Sequence, residues 1–329
     1  MSAHRLGFAV KVLGAGGLPS HDTRRWQSGP HLRHSLERLR AILDYLQAND
    51  LRMYRVATAL TPYASHPELP QFHGQIRECA EELSAVGALV RERGIRLSSH
   101  PGQYTVLNSE DARVRDAAAA ELEVQAALFD AMGLDEEAVV VLHVGGAAGG
   151  KAAASERFLA GLDLLSERAR ARLVIENDDR SFGTTDVVAL ACRTGLRVVW
   201  DALHHQCNSP DGLRDADALA AALGTWPQDV RPKIHYSSPR LDLEERKGKR
   251  GRRVERRLVL PQLRAHADLV EPFGFEQFIR AASSAGRDFD VMLEAKAKDL
   301  ALLRLREQLA ARGLPTQDGR LMVSASPAG

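Results

Sequence analysis

Eight short β-type runs, each followed by a longer stretch of helical periodicity, limit this chain more than any other feature. The runs fall at 6–12, 53–57, 95–99, 138–142, 172–175, 196–200, 232–234 and 290–293. Several are continuous apolar segments such as VVVL and LRVVW, as expected of strands buried on both faces. Between them, HLRHSLERLRAILDYLQAND sets Leu32, Leu36, Leu39, Ile42, Leu43 and Leu46 on one stripe at three- and four-residue spacing. IRECAEELSAVGALVRERG repeats the pattern and stops at Gly94, a natural residue just past a helix end. Strand and helix in strict alternation require a parallel sheet with right-handed crossovers. Eight such units predict an α/β fold, a single-domain (β/α)8 TIM barrel over residues 1–312, with 313–329 as a polar, disordered tail. An open doubly wound sheet is the alternative.

Composition removes several classes of function. No apolar run approaches the roughly 18 residues of a membrane span, and the N-terminus carries no secretory pattern. Cys79, Cys192 and Cys207 are odd in number and lack Cys-x-x-Cys spacing, so they read as reduced thiols of a cytoplasmic protein, not as a zinc–cysteine site. The glycines at 14–17 match neither phosphate-loop pattern and read as a flexible first βα loop. A net charge of +1 decides nothing about nucleic acid, but its distribution is uneven. RKGKRGRRVERR, at 246–257, holds eight basic residues and one acid, and it falls on the rim between the seventh strand and the next helix.

In a barrel of this type catalytic groups gather at the C-terminal ends of the strands. Here the third strand runs into His100, the fourth into His143, the fifth into Glu176, the sixth into Asp201 and the eighth into Glu294. His204 follows Asp201 by one turn, and loops add His66 and His266. Lys233 and His235 are two apart on the seventh strand and therefore share a face. A single strand-end histidine or acid is commonly a hydrogen-bonding or helix-capping residue. Many on one rim would repel and desolvate one another without cations, so the set predicts a metal site suited to zinc or manganese. There are more candidates than one ion needs, which suggests two or three ions, the arrangement used for phosphodiester hydrolysis. Metal-dependent sugar isomerases and epimerases use similar barrels, so the ligand set alone leaves the reaction open.

Motifs in fixed order add a resemblance: Ser65-His66-Pro67, His100-Pro101-Gly102-Gln103-Tyr104, Leu142-His143-Val144-Gly145-Gly146, Glu176-Asn177-Asp178, Asp201-Ala202-Leu203-His204-His205, Pro232-Lys233-Ile234-His235 and Glu294-Ala295-Lys296. Over roughly residues 5–300 the chain resembles the UV damage endonuclease family, in the barrel superfamily of endonuclease IV and xylose isomerase. The resemblance implies a DNA repair endonuclease that cuts immediately 5′ to pyrimidine dimers and 6-4 photoproducts, leaving a 3′-hydroxyl and a 5′-phosphate. It also implies two to three divalent ions, manganese foremost with zinc, magnesium or cobalt as alternatives, held by His66, His100, His143, Glu176, Asp201, His204, His235, His266 and Glu294. Glu176, Lys233, His235 and Glu294 are the catalytic candidates, and Lys233 is expected to be carboxylated. Gln103 and Tyr104 are expected to probe the lesion, and Arg246, Lys247, Lys249, Arg250, Arg252 and Arg253 to contact the DNA backbone. The expected partner is lesion-bearing double-stranded DNA, bound by a monomer with no membrane attachment. An abasic-site endonuclease of the endonuclease IV type is the nearest alternative. Departures stand in the first strand, where Phe8 lacks a tyrosine hydroxyl and Lys11 or Val12 replaces a polar group, and in the loop 14–33, a candidate DNA-facing element.

Overall fold

In a parallel strand buried on both sides, successive residues face opposite surroundings, so each strand carries two independent columns of side chains. The computed structural model describes residues 2–250, 253–283 and 286–324. Its strands are β1 (Ser2–Ala9), β2 (Met53–Arg55), β3 (Arg96–Ser99), β4 (Val139–His143), β5 (Leu173–Glu176), β6 (Arg197–Val199), β7 (Lys233–Tyr236), β8 (Glu244–Arg250), β9 (Arg253–Val259), β10 (Asp290–Leu293), β11 (Thr316–Gln317) and β12 (Arg320–Val323). Strands β1 to β6 pair in parallel in sequence order, and β10 joins β7 to β1. The ring closes between β6 and β7 through a single parallel bridge, Asp201 with His235, in which the His235 N–H donates to the Trp200 carbonyl at 2.9 Å. The eight-stranded barrel predicted from the alternation is the observed architecture.

One column of each strand packs outward on the helices. Leu6, Phe8, Tyr54, Leu97, Val140, Leu142, Ile175, Ile234, Val291 and Leu293 lie in one apolar core with Leu36, Leu39, Ile42 and Leu43 of the helix Leu32–Ala48. The other column fills the barrel: Val139, Val141, Val174 and Val199 form one inner cluster, and Ala9, Met53 and Met292 another. Gly7 belongs to this inner column, and a Cβ there would come within 2.7 Å of the Met53 side chain. Below the apolar layer the inner column turns ionic. Buried Asp290 accepts from the Arg5 Nε at 2.8 Å and the Arg96 Nη1 at 2.9 Å, while the Arg96 and Arg197 guanidiniums stand over the Trp226 ring. Burial pushes the Asp290 carboxyl up, but Arg5, Arg96 and Arg231 hold it below its ordinary range.

Three expectations need correction. The tail is not frayed through its described part: β11 and β12 form a hairpin, β12 pairs antiparallel with Ser2–Arg5 of β1, and Leu314, Leu321 and Val323 are buried. This partner also explains why β1 extends ahead of Leu6 through Ser2–Arg5, and a left-handed Val10 (φ 64°) ends it at Ala9. Residues 325–329 lie outside the described residues. Second, the first βα loop is pinned, because the Leu13 and Gly14 N–H groups donate to the Asp299 carboxylate at 2.7 and 2.9 Å. Third, Phe8 belongs to the outward column, edge-on to Tyr54 at 5.4 Å, so its missing hydroxyl is missing from the core and not from the rim.

Truncation after Gly313 is expected to destabilise the barrel by several kcal/mol, since each buried apolar side chain contributes about 1.5–3 kcal/mol. A thermal midpoint equal to that of the full chain would restore the frayed tail.

Candidate metal centre and active site

The inner column ends at the C-terminal rim in one polar layer. Counting by twos from buried barrel positions leads from Ser98 to His100, Val141 to His143, Val174 to Glu176, Val199 to Asp201, Lys233 to His235 and Met292 to Glu294. The same count leads from Met53 to Arg55, a rim residue that the strand-end motifs do not include. The period of the strand is therefore what brings these groups together, from positions far apart in the chain.

Glu176 is the centre of the layer and is fully buried. Its Oε1 lies 2.8 Å from the His235 Nδ1 and 3.5 Å from the His204 Nδ1, and its Oε2 lies 3.0 Å from the His100 Nε2 and 3.6 Å from the His143 Nε2. Asp201 caps the helix Ala202–Cys207 by accepting the His204 N–H on Oδ1 at 2.7 Å, which leaves Oδ2 for the site. The helix-cap reading and the ligand reading of this residue are thus compatible. Asn177 clamps Asp201 from the neighbouring strand end: its Oδ1 accepts the Asp201 N–H at 2.8 Å, its Nδ2 donates to the Asp201 carbonyl at 3.0 Å, and its own carbonyl meets the His204 Nδ1 at 3.0 Å. Of the paired histidines only His204 faces the site, because His205 is held by Thr184 and the Leu213 carbonyl. Glu294 pairs with the Arg55 Nη1 at 2.5 Å, and its Oε2 lies 3.6 Å from the His266 Nδ1.

Ligand atoms converge in three overlapping groups: His100, His143 and Glu176; His100, His235 and Glu294; and Glu176, Asp201 and His204. Within each, the atoms lie within 4.8 Å of one another, as they must around a shared ion. His266 joins the rim beside Glu294, its ring 6.0 Å from that of His204, although it belongs to none of the three groups. His66 also stands outside them; its Nδ1 accepts the Glu68 N–H at 3.2 Å and its ring meets that of Tyr63. Three atoms of the cluster, His143 Nδ1, Asp201 Oδ2 and His235 Nε2, are buried without a hydrogen-bond partner. Buried polar atoms are rarely left so, and three converging ones around Glu176 fit divalent cations.

The electrostatics point the same way. Burial, with Glu176 and Glu294 nearby, raises the Asp201 carboxyl to about 6, against the pull of His204. Burial would lower His204, but Asp201, Glu176 and Glu294 push it up to about 11, so this ring holds a proton where no other cation is present. Burial lowers His235 to about 4 and also lowers His100. Lys233, one layer down, is fully buried and donates from Nζ to the Ser98 Oγ at 2.9 Å. Burial, with Arg55 and Arg96 nearby, holds its amine well below the ordinary lysine range.

Gln103 and Tyr104 occupy the centre of a tight turn closed by the Thr105 N–H on the Gly102 carbonyl at 2.9 Å, and the Tyr104 side chain is 83% exposed. Gln103 also borders a cleft of about 360 Å³ that reaches His143, Asp178, Asp179 and His204. The basic block is not a loop: β8 and β9 form an antiparallel ribbon that carries Arg246, Lys247, Lys249, Arg250 and Arg253, whereas Arg252 lies outside the described residues. Cys79, Cys192 and Cys207 are free thiols, and no described helix is long and apolar enough to cross a membrane.

Comparison with known proteins places this geometry in context. The profile of the family described as UV-endonuclease UvdE matches residues 31–317. A UV DNA damage endonuclease of Bacillus cereus (strain G9842) is 30% identical over 293 residues, covering 88% of this chain and 86% of the relative. A protein of the same name from Bacillus pumilus (strain SAFR-032) is 32% identical over 270 residues, 82% of this chain and 78% of the relative. Among solved structures, SacUVDE superposes with a TM-score of 0.77 at 28% identity, over 94% of this chain and 99% of its own. D-psicose 3-epimerase from Clostridium cellulolyticum H10, at 12% identity and a TM-score of 0.51 over 94% and 97% of the two chains, shares the fold.

Metal-stripped protein titrated with Mn²⁺ or Zn²⁺ is expected to gain about 2.7 kcal/mol of stability at roughly a hundredfold excess of free ion over Kd. Glu176→Gln is expected to remove most of that gain. Affinity should rise with pH, because His204 must release its proton, and should fall away below about 6, where Asp201 takes one up. A melting curve indifferent to both ions at neutral pH would exclude a metal centre here.

Proposed function

This chain belongs to the UV-endonuclease UvdE family and is a DNA repair endonuclease for UV damage; from that premise we propose that it cuts the phosphodiester immediately 5′ to a photoproduct, leaving a 3′-hydroxyl and a 5′-phosphate. The observation that carries this reading is the convergence of His100, His143, Glu176, Asp201, His204, His235 and Glu294 on one rim, with buried atoms that lack partners. These residues, together with His266 beside Glu294 and His66 of the loop after the second strand, would hold two or three divalent ions, manganese foremost. Such ions, when bound, supply a lowered pKa for the attacking water and charge stabilisation for the leaving oxygen.

The protein's own residues do the rest. Glu176 and Asp201, held by the histidine shell and the Asn177 clamp, provide anionic oxygens at positions set before substrate arrives, so little reorganisation is needed during reaction. Arg55, paired with Glu294, leaves a guanidinium at the rim where a phosphate would lie. Gln103 and Tyr104 stand exposed on a hydrogen-bonded turn, and we assign them to the damaged base pair, the ring by stacking and the amide by replacing lost hydrogen bonds. A dimerised pyrimidine pair stacks poorly, so displacing it costs less than displacing intact bases, and the enzyme can select by deformability. The arginines and lysines of the ribbon, Arg252 included, are assigned to the DNA backbone. The protein acts as a monomer.

Lys233 is assigned as a carboxylated lysine. An amine whose protonated form is disfavoured by burial is a nucleophile towards carbon dioxide: the Nζ–C bond forms as one C=O π bond of carbon dioxide opens onto oxygen, the nitrogen loses one proton, and a neutral amine beneath the metal layer becomes an anionic carbamate. Protein grown with ¹³C-labelled bicarbonate is expected to show a carbamate carbon signal that Lys233→Met removes. A metal-loaded wild type without that signal would return Lys233 to the free amine.

The deciding assay is a labelled duplex with one cyclobutane dimer, Mn²⁺, and matched undamaged and abasic duplexes. A cut just 5′ to the dimer is expected, lowered at least about 10³-fold in Glu176→Gln, in line with the loss of a preorganised electrostatic group. Gln103→Ala with Tyr104→Ala should reduce discrimination between damaged and intact duplex by about tenfold or more, a stacked base being worth about 1–3 kcal/mol. Cutting at the abasic site alone would make the protein an abasic-site endonuclease.

A further inference from the structure

The β8–β9 ribbon combines features that phosphate attraction alone does not require. Its register sets Arg246 opposite Arg257, Lys247 opposite Arg256 and Arg250 opposite Arg253. Like charges placed directly opposite in an antiparallel pair repel, and of these Arg256 is offset in part by Glu245, whose Oε1 lies 3.2 Å from its Nη1. The sixteen positions 244–259 hold eight basic residues against three acids, in a chain whose net charge is only +1. Such a ribbon is stabilised by a polyanion that both strands can reach.

A second feature is apolar. Leu241, Leu243, Leu258, Leu260 and Leu263, all at the stem, are 54–80% exposed. Exposed leucines clustered in this way mark a contact surface. A third feature is where the stem is rooted. Pro239 and His266 form an antiparallel bridge, the Arg240 N–H donates to the Ala265 carbonyl at 2.7 Å, and the Ala267 N–H donates to the Ser238 carbonyl at 2.9 Å. The Arg264 Nε lies 3.3 Å from Asp179. The ribbon therefore grows out of the rim at His266, beside Glu294, and not from a remote face.

We propose that the ribbon is a second DNA-binding site: it enters the major groove of the duplex on one side of the cut, with its basic strands towards the phosphates of both groove walls and its leucine stem against the base and sugar edges. This deepens the endonuclease reading and rests on it for the identity of the polyanion. The groove follows from size, since a groove about 12 Å wide admits a two-stranded ribbon and one about 6 Å wide does not. The reach follows from length, because a seven-residue strand extends about 23 Å, roughly seven base pairs of duplex. A second copy of this chain is a poor occupant, as it would bring two ribbons of the same sign together. The consequence is an asymmetric footprint, with the ribbon holding intact duplex while the rim handles the damaged step.

The test uses full-length protein and two variants at exposed positions, Arg256→Gln with Arg257→Gln, and Leu258→Ser with Leu260→Ser. Binding is read by fluorescence anisotropy over a salt series on undamaged duplexes, long or trimmed on one flank. The charge variant is expected to bind long duplex about tenfold more weakly, with a salt slope shallower by about 0.9 for each phosphate that is no longer neutralised. The leucine variant should bind more weakly with the slope unchanged. Both defects should vanish when one particular flank is trimmed below about seven base pairs, and persist when the other is trimmed. Unchanged affinity in both variants, or defects independent of flank, would overturn the proposal. So would a leucine variant that binds DNA normally but no longer self-associates by light scattering, which would make the stem a protein interface. Because binding to intact duplex is measured apart from cutting, a wild type with these flank effects but no incision would leave this inference standing and remove the reading of the reaction.

Discussion

Three carboxylates, Glu176, Asp201 and Glu294, meet at one end of the barrel, the first two with no solvent exposure. Their mutual repulsion in a medium that solvates them poorly would be prohibitive without positive charge. The chain supplies part of that charge through protonated His204 and the Arg55 guanidinium. Polar atoms of His143, Asp201 and His235 remain without partners, as a site open to divalent cations would leave them. Much of the surrounding architecture serves this cluster: Asn177 fixes Asp201, the Asp201 cap fixes His204, and the Ser238–Ala267 ladder brings His266 beside Glu294.

The two ends of the barrel solve opposite electrostatic problems with the same strands. At the N-terminal end Asp290 is surrounded by Arg5, Arg96 and Arg231, so the charges are closed among protein groups, and Trp226 covers the Arg96 guanidinium. At the C-terminal end they are left open. Between them the inner valines, Met53 and Met292 separate the two ionic layers, and Lys233 lies buried against Ser98. A barrel that neutralised both ends internally would be an inert scaffold; the asymmetry is what turns one end into a site.

Recognition and chemistry are built on different kinds of backbone. The candidate ligands stand on strand ends, where neighbouring strands restrict them, and the groups proposed to contact DNA stand on a tight turn and a ribbon, where exposure is available. The turn at Gln103 and Tyr104 is continuous with His100, and the ribbon stem is continuous with His266. Both elements are thereby joined through short lengths of chain to residues of the candidate metal layer.

The barrel is legible in the sequence because strand–helix alternation and two-faced apolar runs follow from local chain geometry. His100, His143, Glu176, Asp201, Lys233, His235 and Glu294 are legible because strand period and strand end are one-dimensional quantities. Arg55 obeys the same period, but its short strand gives it little sequence signal. The sequence does not reveal the relations between segments distant along the chain: the hairpin that ties residues 316–323 to Ser2–Arg5, the arginines around Asp290, the outward turn of Phe8, and the folding of the basic block into a ribbon rooted at His266. His66 shows the limit from the other side, since its motif suggests a ligand and its loop leaves it outside the converging groups. Local periodicity determines which way a side chain leaves its own strand. Which groups it then meets depends on ring closure and loop packing, where burial and charge compensation are shared among residues that no short stretch of sequence contains.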